Sequence, residues 1–173
     1  MVVTACDIPA GSVVRHQLAG APWFQDSYRA PQTHLTSDMA AIFLALFAHH
    51  PGWIKAVLIM RNCIAGWCGL AVPSAASILH PAPRAHYAVG DVIGPWPIYV
   101  LTEHELVAGR DNRHLDFRLS VLREMHDGGP SVVVSTICSV HNVAGKIYLF
   151  FIVPFHKWGV KRLIARAVAA GRL

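Results

Sequence analysis

His114, Asp116 and Arg118 stand two residues apart in a run whose other members, Leu115, Phe117, Leu119 and Val121, are apolar. Side chains of a strand alternate with period two, so the polar three share one face with Ser120 and the apolar four share the other. A histidine and a carboxylate on one face can serve as acid and base, and an arginine there can hold an anionic group. What the row does depends on where it looks. On an outer face it is a solvated set with an ion pair. Facing a cavity, an isolated Asp116 carboxylate would be costly and would need a cation. Arg118 is one candidate. Arg61, a charge inside an apolar helical stretch, is the other, expected partly buried and bonded to a carboxylate or to backbone carbonyls.

Other side chains extend the set. His114-x-Asp116 with His141 or His156 has the composition of a two-histidine, one-carboxylate iron site. Eleven histidines make that coincidence easy, and such a site needs a barrel to converge its ligands, so no metal is expected. His141, at a strand end, is expected to cap a turn with Asn142. His156, two residues after Pro154, is expected to bond a carbonyl freed by the proline. A proton-transfer or pH-responsive role stays open for either histidine. Tyr148, Trp53, Trp96 and Trp158 read as core or pocket wall. The sequence has no G-x-S-x-G, G-x-G-x-x-G, P-loop or H-E-x-x-H, and Glu103-His104-Glu105 reads as a charged strand end or turn.

The elements that must position these residues centre on 111–142, two long strands joined by Asp127-Gly128-Gly129-Pro130. Upstream, 1–35 is hard to read: Val13-Val14 and Trp23-Phe24 hint at short strands, and 26–29 reads as the start of a sheet. Thr36-Ser37-Asp38 looks like an N-cap for a helix with Met39, Ile42, Phe43, Leu46 and Phe47 on its apolar face. A second short helix carries Trp53, Ile54, Val57, Leu58 and Ile64 until Gly66 and Gly69 stop it. Ile93 to Thr102, with Pro95 and Pro97, enters the sheet as an edge, and Glu105 to Gly109 makes another strand. After Asn142, Ile147 to Val153 has strand composition, and Val160 to Val168 is helical. Periodicity alone gives a strand followed by a helix there.

One domain, 1–173, suits the length, with a body over 36–171. Hydrophobic residues make up 54% and charged residues 14%, a balance that excludes disorder and leaves apolar surface to be buried in a core, a pocket, a partner or a membrane face. Net charge is +5, and no acidic residue follows Asp127. The basic tail reads as a solvated helix face, with weak contact to anionic lipid or an acidic ligand as the other option. Nucleic acid is excluded for want of a binding motif. The uncharged stretch 63–79 is interrupted by Gly66, Gly69 and Pro73, whereas a spanning helix needs about 20 apolar residues. Cys6, Cys63, Cys68 and Cys138 make no C-x-x-C pair, and the Met1 region lacks a signal peptide, so a cytoplasmic location is expected.

Several segments resemble a bacterial family, the domain of unknown function 2867. The carriers are Pro51-x-Trp53, Arg61-Asn62 with Gly69-Leu70, Gly90-Asp91-x-Ile93-Gly94, Asp111-x-Arg113-His114-Leu115-Asp116-Phe117-Arg118, His141-Asn142, Gly145-x-x-Tyr148 and Pro154-Phe155-His156. Asn112 stands where the family often has a second aspartate. The resemblance implies an α+β fold of START-like, helix-grip type: a curved antiparallel sheet, two short helices and one long, kinked C-terminal helix beginning near Gly145. It also implies a dehydrogenase-like partner, since members occur fused behind an NAD(P)-binding domain. The function expected on this footing is binding of a small apolar or amphipathic molecule between sheet and terminal helix, without a cofactor. Trp53, Arg61, His114, Asp116, Arg118, His141, Tyr148 and His156 are the candidate ligand-binding residues. An enzyme using a histidine and Asp116, and a structural module with a filled core, are the alternatives.

Overall fold

The computed structural model describes residues 3–34, 37–48, 84 and 86–173. Seven strands, β1 (Thr4–Ala5), β2 (Phe24–Pro31), β3 (Val92–Ile93), β4 (Trp96–Leu101), β5 (Glu105–Asp111), β6 (Leu115–His126) and β7 (Gly129–Val140), form one open antiparallel sheet in the order β1-β2-β7-β6-β5-β4-β3. Among the described residues two α-helices, α1 (Met39–Phe47) and α2 (Val143–Ala169), accompany it, giving an α+β architecture with a long C-terminal helix. The second short helix expected around Trp53 and Arg61 lies outside the described residues.

β6 and β7, twelve residues each, are the hairpin that the alternation predicts. Its loop is Asp127-Gly128, both at positive φ (49° and 76°), the conformation of a two-residue turn whose twist matches the strands. Gly129 and Pro130 already pair with His126 and Met125. Leu119 and Val121 of β6, Val132 and Val134 of β7, and Tyr28 and Ala30 of β2 form one face. That face packs against α1 and the second half of α2. Leu115, Cys138, Phe24 and Phe117 continue the same face beneath Tyr148 and Leu149 of α2.

The run from Ile147 to Val153 is helix, not strand, as the resemblance implies and periodicity alone does not. Its β-branched and aromatic residues have strand composition because only Tyr148 and Leu149 of that stretch are buried, while Ile147, Phe150 and Phe151 point outward. Asn142 caps the start, accepting from the Gly145 amide. α2 runs on through Pro154. At the far end Gly171 (φ 60°) donates to the Val168 carbonyl and Arg172 to that of Ala167, closing the helix in a Schellman motif.

The opposite face of the sheet is covered by the N-terminal segment. Ile8, Val14 and Leu18 pack on Val107, Val100 and Ile137. Val13-Val14 is not a strand; it opens a short 3-10 helix, Val13–His16, capped by Ser12. Phe24 and Asp26 to Arg29 do belong to a strand, β2, which pairs with β7 along its whole length.

Candidate functional site

The expected site residues fall into three groups. The first is a clasp at the start of α2. The Asn142 side chain accepts from the Gly145 amide, donates to the Arg113 carbonyl and lies 3.0 Å from His114 Nδ1, while the His141 amide donates to the His114 carbonyl. Gly145 is required here: a Cβ at that position would lie 2.3 Å from the His114 carbonyl oxygen. His114 therefore holds the helix start, apart from Asp116 and Arg118.

The second group lies on the sheet face turned away from α2. Arg118, 5% exposed, donates to Asp111 at 2.6 Å, and its guanidinium carbon lies over the Tyr99 ring, 3.6 Å from the centroid. Tyr99 donates its hydroxyl to the other Asp111 oxygen at 3.0 Å. Gly109 makes room, since a Cβ there would collide with the Phe117 carbonyl and the Arg118 side chain. Burial works against ionisation of Asp111, yet the Arg118 hydrogen bond and charge, with the Tyr99 bond, bring its carboxyl below the ordinary range. Asp116 does not pair with Arg118. It accepts from the Asn112 amide and faces His141 Nε2 at 2.9 Å. Thus Asn142 alone caps the turn and His141 is the imidazole side of a carboxylate–imidazole pair, correcting the expected cap role of His141.

The third group sits between sheet and helix. His156 Nε2 of α2 lies 3.3 Å from Asp26 Oδ1 of β2, and Tyr28 donates its hydroxyl to Asp26 Oδ2 at 3.1 Å. His156 bonds this carboxylate, not a carbonyl freed by Pro154. Phe24 meets the imidazole edge-on at 5.7 Å. Thr136, paired with Asp26 in register, is buried, and its hydroxyl has no partner among the described residues. Burial, then the Asp26 charge, pushes the neighbouring Cys138 thiol up to about 12 and also raises the Tyr28 phenol above its usual value. Both stay protonated at neutral pH.

This polar layer has a definite place. On β7, Thr136 separates Val134 of one apolar cluster from Cys138 of the other. On β2, Asp26 separates Tyr28 from Phe24. On α2, His156 separates Val160 from Val153. Three elements thus contribute one polar residue each at the level where the core is divided.

The model of a family described as "Protein of unknown function (DUF2867)" matches residues 18–163. The chain belongs to that family. No curated protein and no solved structure matches it.

The residues by which this DUF2867 chain resembles its family therefore serve unequal ends. Asp111, Arg113, His114, Asp116 and Arg118, with His141, Asn142 and Gly145, gather where the 111–115 turn meets the helix start. Tyr148 is buried in the smaller apolar cluster beneath that helix. Only His156 belongs to the layer between sheet and helix. Trp53 and Arg61 lie outside the described residues. Asp26, Tyr28, Thr136 and Tyr99 had no signal in the sequence, since each is defined by a partner on another strand or helix. Asp111 was within a quoted motif, and its position opening that motif was the available cue. No group of side chains that could hold a metal ion occurs among the described residues.

Proposed function

We propose that the chain binds a small amphipathic molecule between the sheet and α2, in a helix-grip arrangement like that of START-like proteins. The polar end of the ligand meets Asp26, His156 and Thr136, and its apolar part lies along one of the flanking clusters. One observation carries this: the core is interrupted at a single level by an oriented imidazole, its carboxylate and a buried hydroxyl with no partner among the described residues. Such a hydroxyl costs stability in an apolar surround unless something bonds it, and a ligand head group would. Sites of this kind have mostly apolar walls with a few polar groups that fix orientation.

Titration of the full chain with cis-parinaric acid, a fluorescent fatty acid, tests the proposal. Saturable enhancement is expected, with affinity lowered about tenfold or more in Thr136→Val and His156→Phe, as for loss of one hydrogen bond to a charged group. Thermal unfolding of Thr136→Val no lower than that of the unaltered chain would locate the effect in binding. No saturable signal, or equal affinity in all three chains, would leave the structural module as the better account.

A second reading rests on the outer pair. A half-exposed imidazole aligned by a carboxylate, as His141 is by Asp116, has the arrangement of a general base.

A further inference from the structure

The face of α2 turned away from the sheet carries residues that the fold does not bury. Phe150 is 72% exposed, and Ile147, Phe151 and Phe155 are each about half exposed. Phe150 and Phe151 pack edge to face on one another, 5.4 Å between centroids. Residues four apart on a helix lie in one row. One such row is Lys146, Phe150, Pro154, Trp158, Arg162 and Arg166, all exposed, cationic at both ends and apolar between. The neighbouring row supplies Ile147, Phe151 and Phe155. Arg162 lies over the Trp158 ring at 5.5 Å, so the charge sits against the apolar strip rather than away from it.

The charge that α2 itself carries has one sign. Lys157 and Lys161 flank it, and no acidic residue occurs after Asp127. An apolar strip of aromatic residues among cations alone matches a surface that is anionic outside and apolar within. Helices of that composition lie in the plane of a bilayer interface, rings at the headgroup level and Lys and Arg on anionic lipid. A second copy of the chain would bring the same cations face to face, which opposes self-association through this strip. No described helix is long and apolar enough to cross a membrane, so α2 would lie on the surface and not through it. We propose that the outer face of α2 docks the chain on an anionic bilayer, leaving the opposite face of the helix on the sheet.

Co-sedimentation of the full chain with two vesicle types tests this: phosphatidylcholine alone, and phosphatidylcholine with phosphatidylserine. Binding is expected to be about tenfold or more tighter to the second and to weaken as salt is raised. Phe150→Ser with Phe151→Ser, and separately Arg162→Glu with Arg166→Glu, are each expected to lower it about tenfold or more without changing thermal unfolding, since these side chains are exposed. Absence of phosphatidylserine-dependent sedimentation would overturn the proposal, as would variants that sediment like the unaltered chain. So would a dimer in light scattering that Phe150→Ser with Phe151→Ser dissociates, with no vesicle binding, because a second copy would then own the face. Binding of soluble polyglutamate as tight as that of the vesicles, and indifferent to the phenylalanine changes, would assign the face to an acidic polypeptide and reject the bilayer.

Discussion

Glu105 has a role that its position in Glu103-His104-Glu105 does not announce. It is 3% exposed, and its carboxylate accepts from the Ser12 hydroxyl at 2.6 Å, the Ser120 hydroxyl at 2.5 Å and the Val13 amide at 2.8 Å. Three donors from two distant parts of the chain thus share one acceptor, fixing the N-terminal segment to the sheet. Glu105→Ala should cost about 3 kcal/mol in urea unfolding, because it strands buried donors instead of removing a surface charge. A loss no larger than that of an ordinary surface substitution, within about 0.5 kcal/mol, would contradict this. The sequence made Glu105 a strand end and Arg118 a member of an alternating row, both correctly. It gave no sign that they are buried. Alternation tells which residues share a face, not whether another segment covers that face, and the cover here is the hard-to-read stretch before Phe24.

α2 is fastened at both ends, and in the middle through His156 on Asp26. Its start is clasped through Asn142 and the close approach of Gly145 to the His114 carbonyl. Beyond its end, the Thr33 amide donates to the Leu173 carbonyl at 2.9 Å and Arg172 donates to the Ala45 carbonyl of α1 at 2.9 Å. Two glycines in this one helix should then respond in opposite directions. Gly145→Ala should lower stability by about 2 kcal/mol, since the new methyl group must displace backbone. Gly159→Ala meets nothing within 4 Å and should raise it by up to about 1 kcal/mol through helix propensity. Thermal unfolding of the two variants decides the matter, and equal shifts of one sign would rule out the clasp. The clasp was partly legible, because His141-Asn142 and Gly145-x-x-Tyr148 are local patterns. The identity of 147–153 was not: outward Ile147, Phe150 and Phe151 erase the periodicity by which an amphipathic helix is recognised.

On the scale of the whole molecule, the antiparallel order, the hairpin and the long terminal helix were readable from turn chemistry, alternation and the family resemblance. The division of the core was not, because it arises from Asp26, Thr136 and His156, which come together only when β2, β7 and α2 assemble. The expected set of polar groups instead separated onto two sides of the sheet, with His156 on the helix side and Asp116, Arg118 and His141 on the other. A ligand site between sheet and helix therefore rests on residues mostly absent from that set. Native mass spectrometry of the full chain mixed with excess cis-parinaric acid tests it most directly. The account predicts one bound molecule per chain, lost on denaturation and strongly reduced in His156→Phe. The bare chain alone, or an adduct equally abundant in that variant, would contradict it.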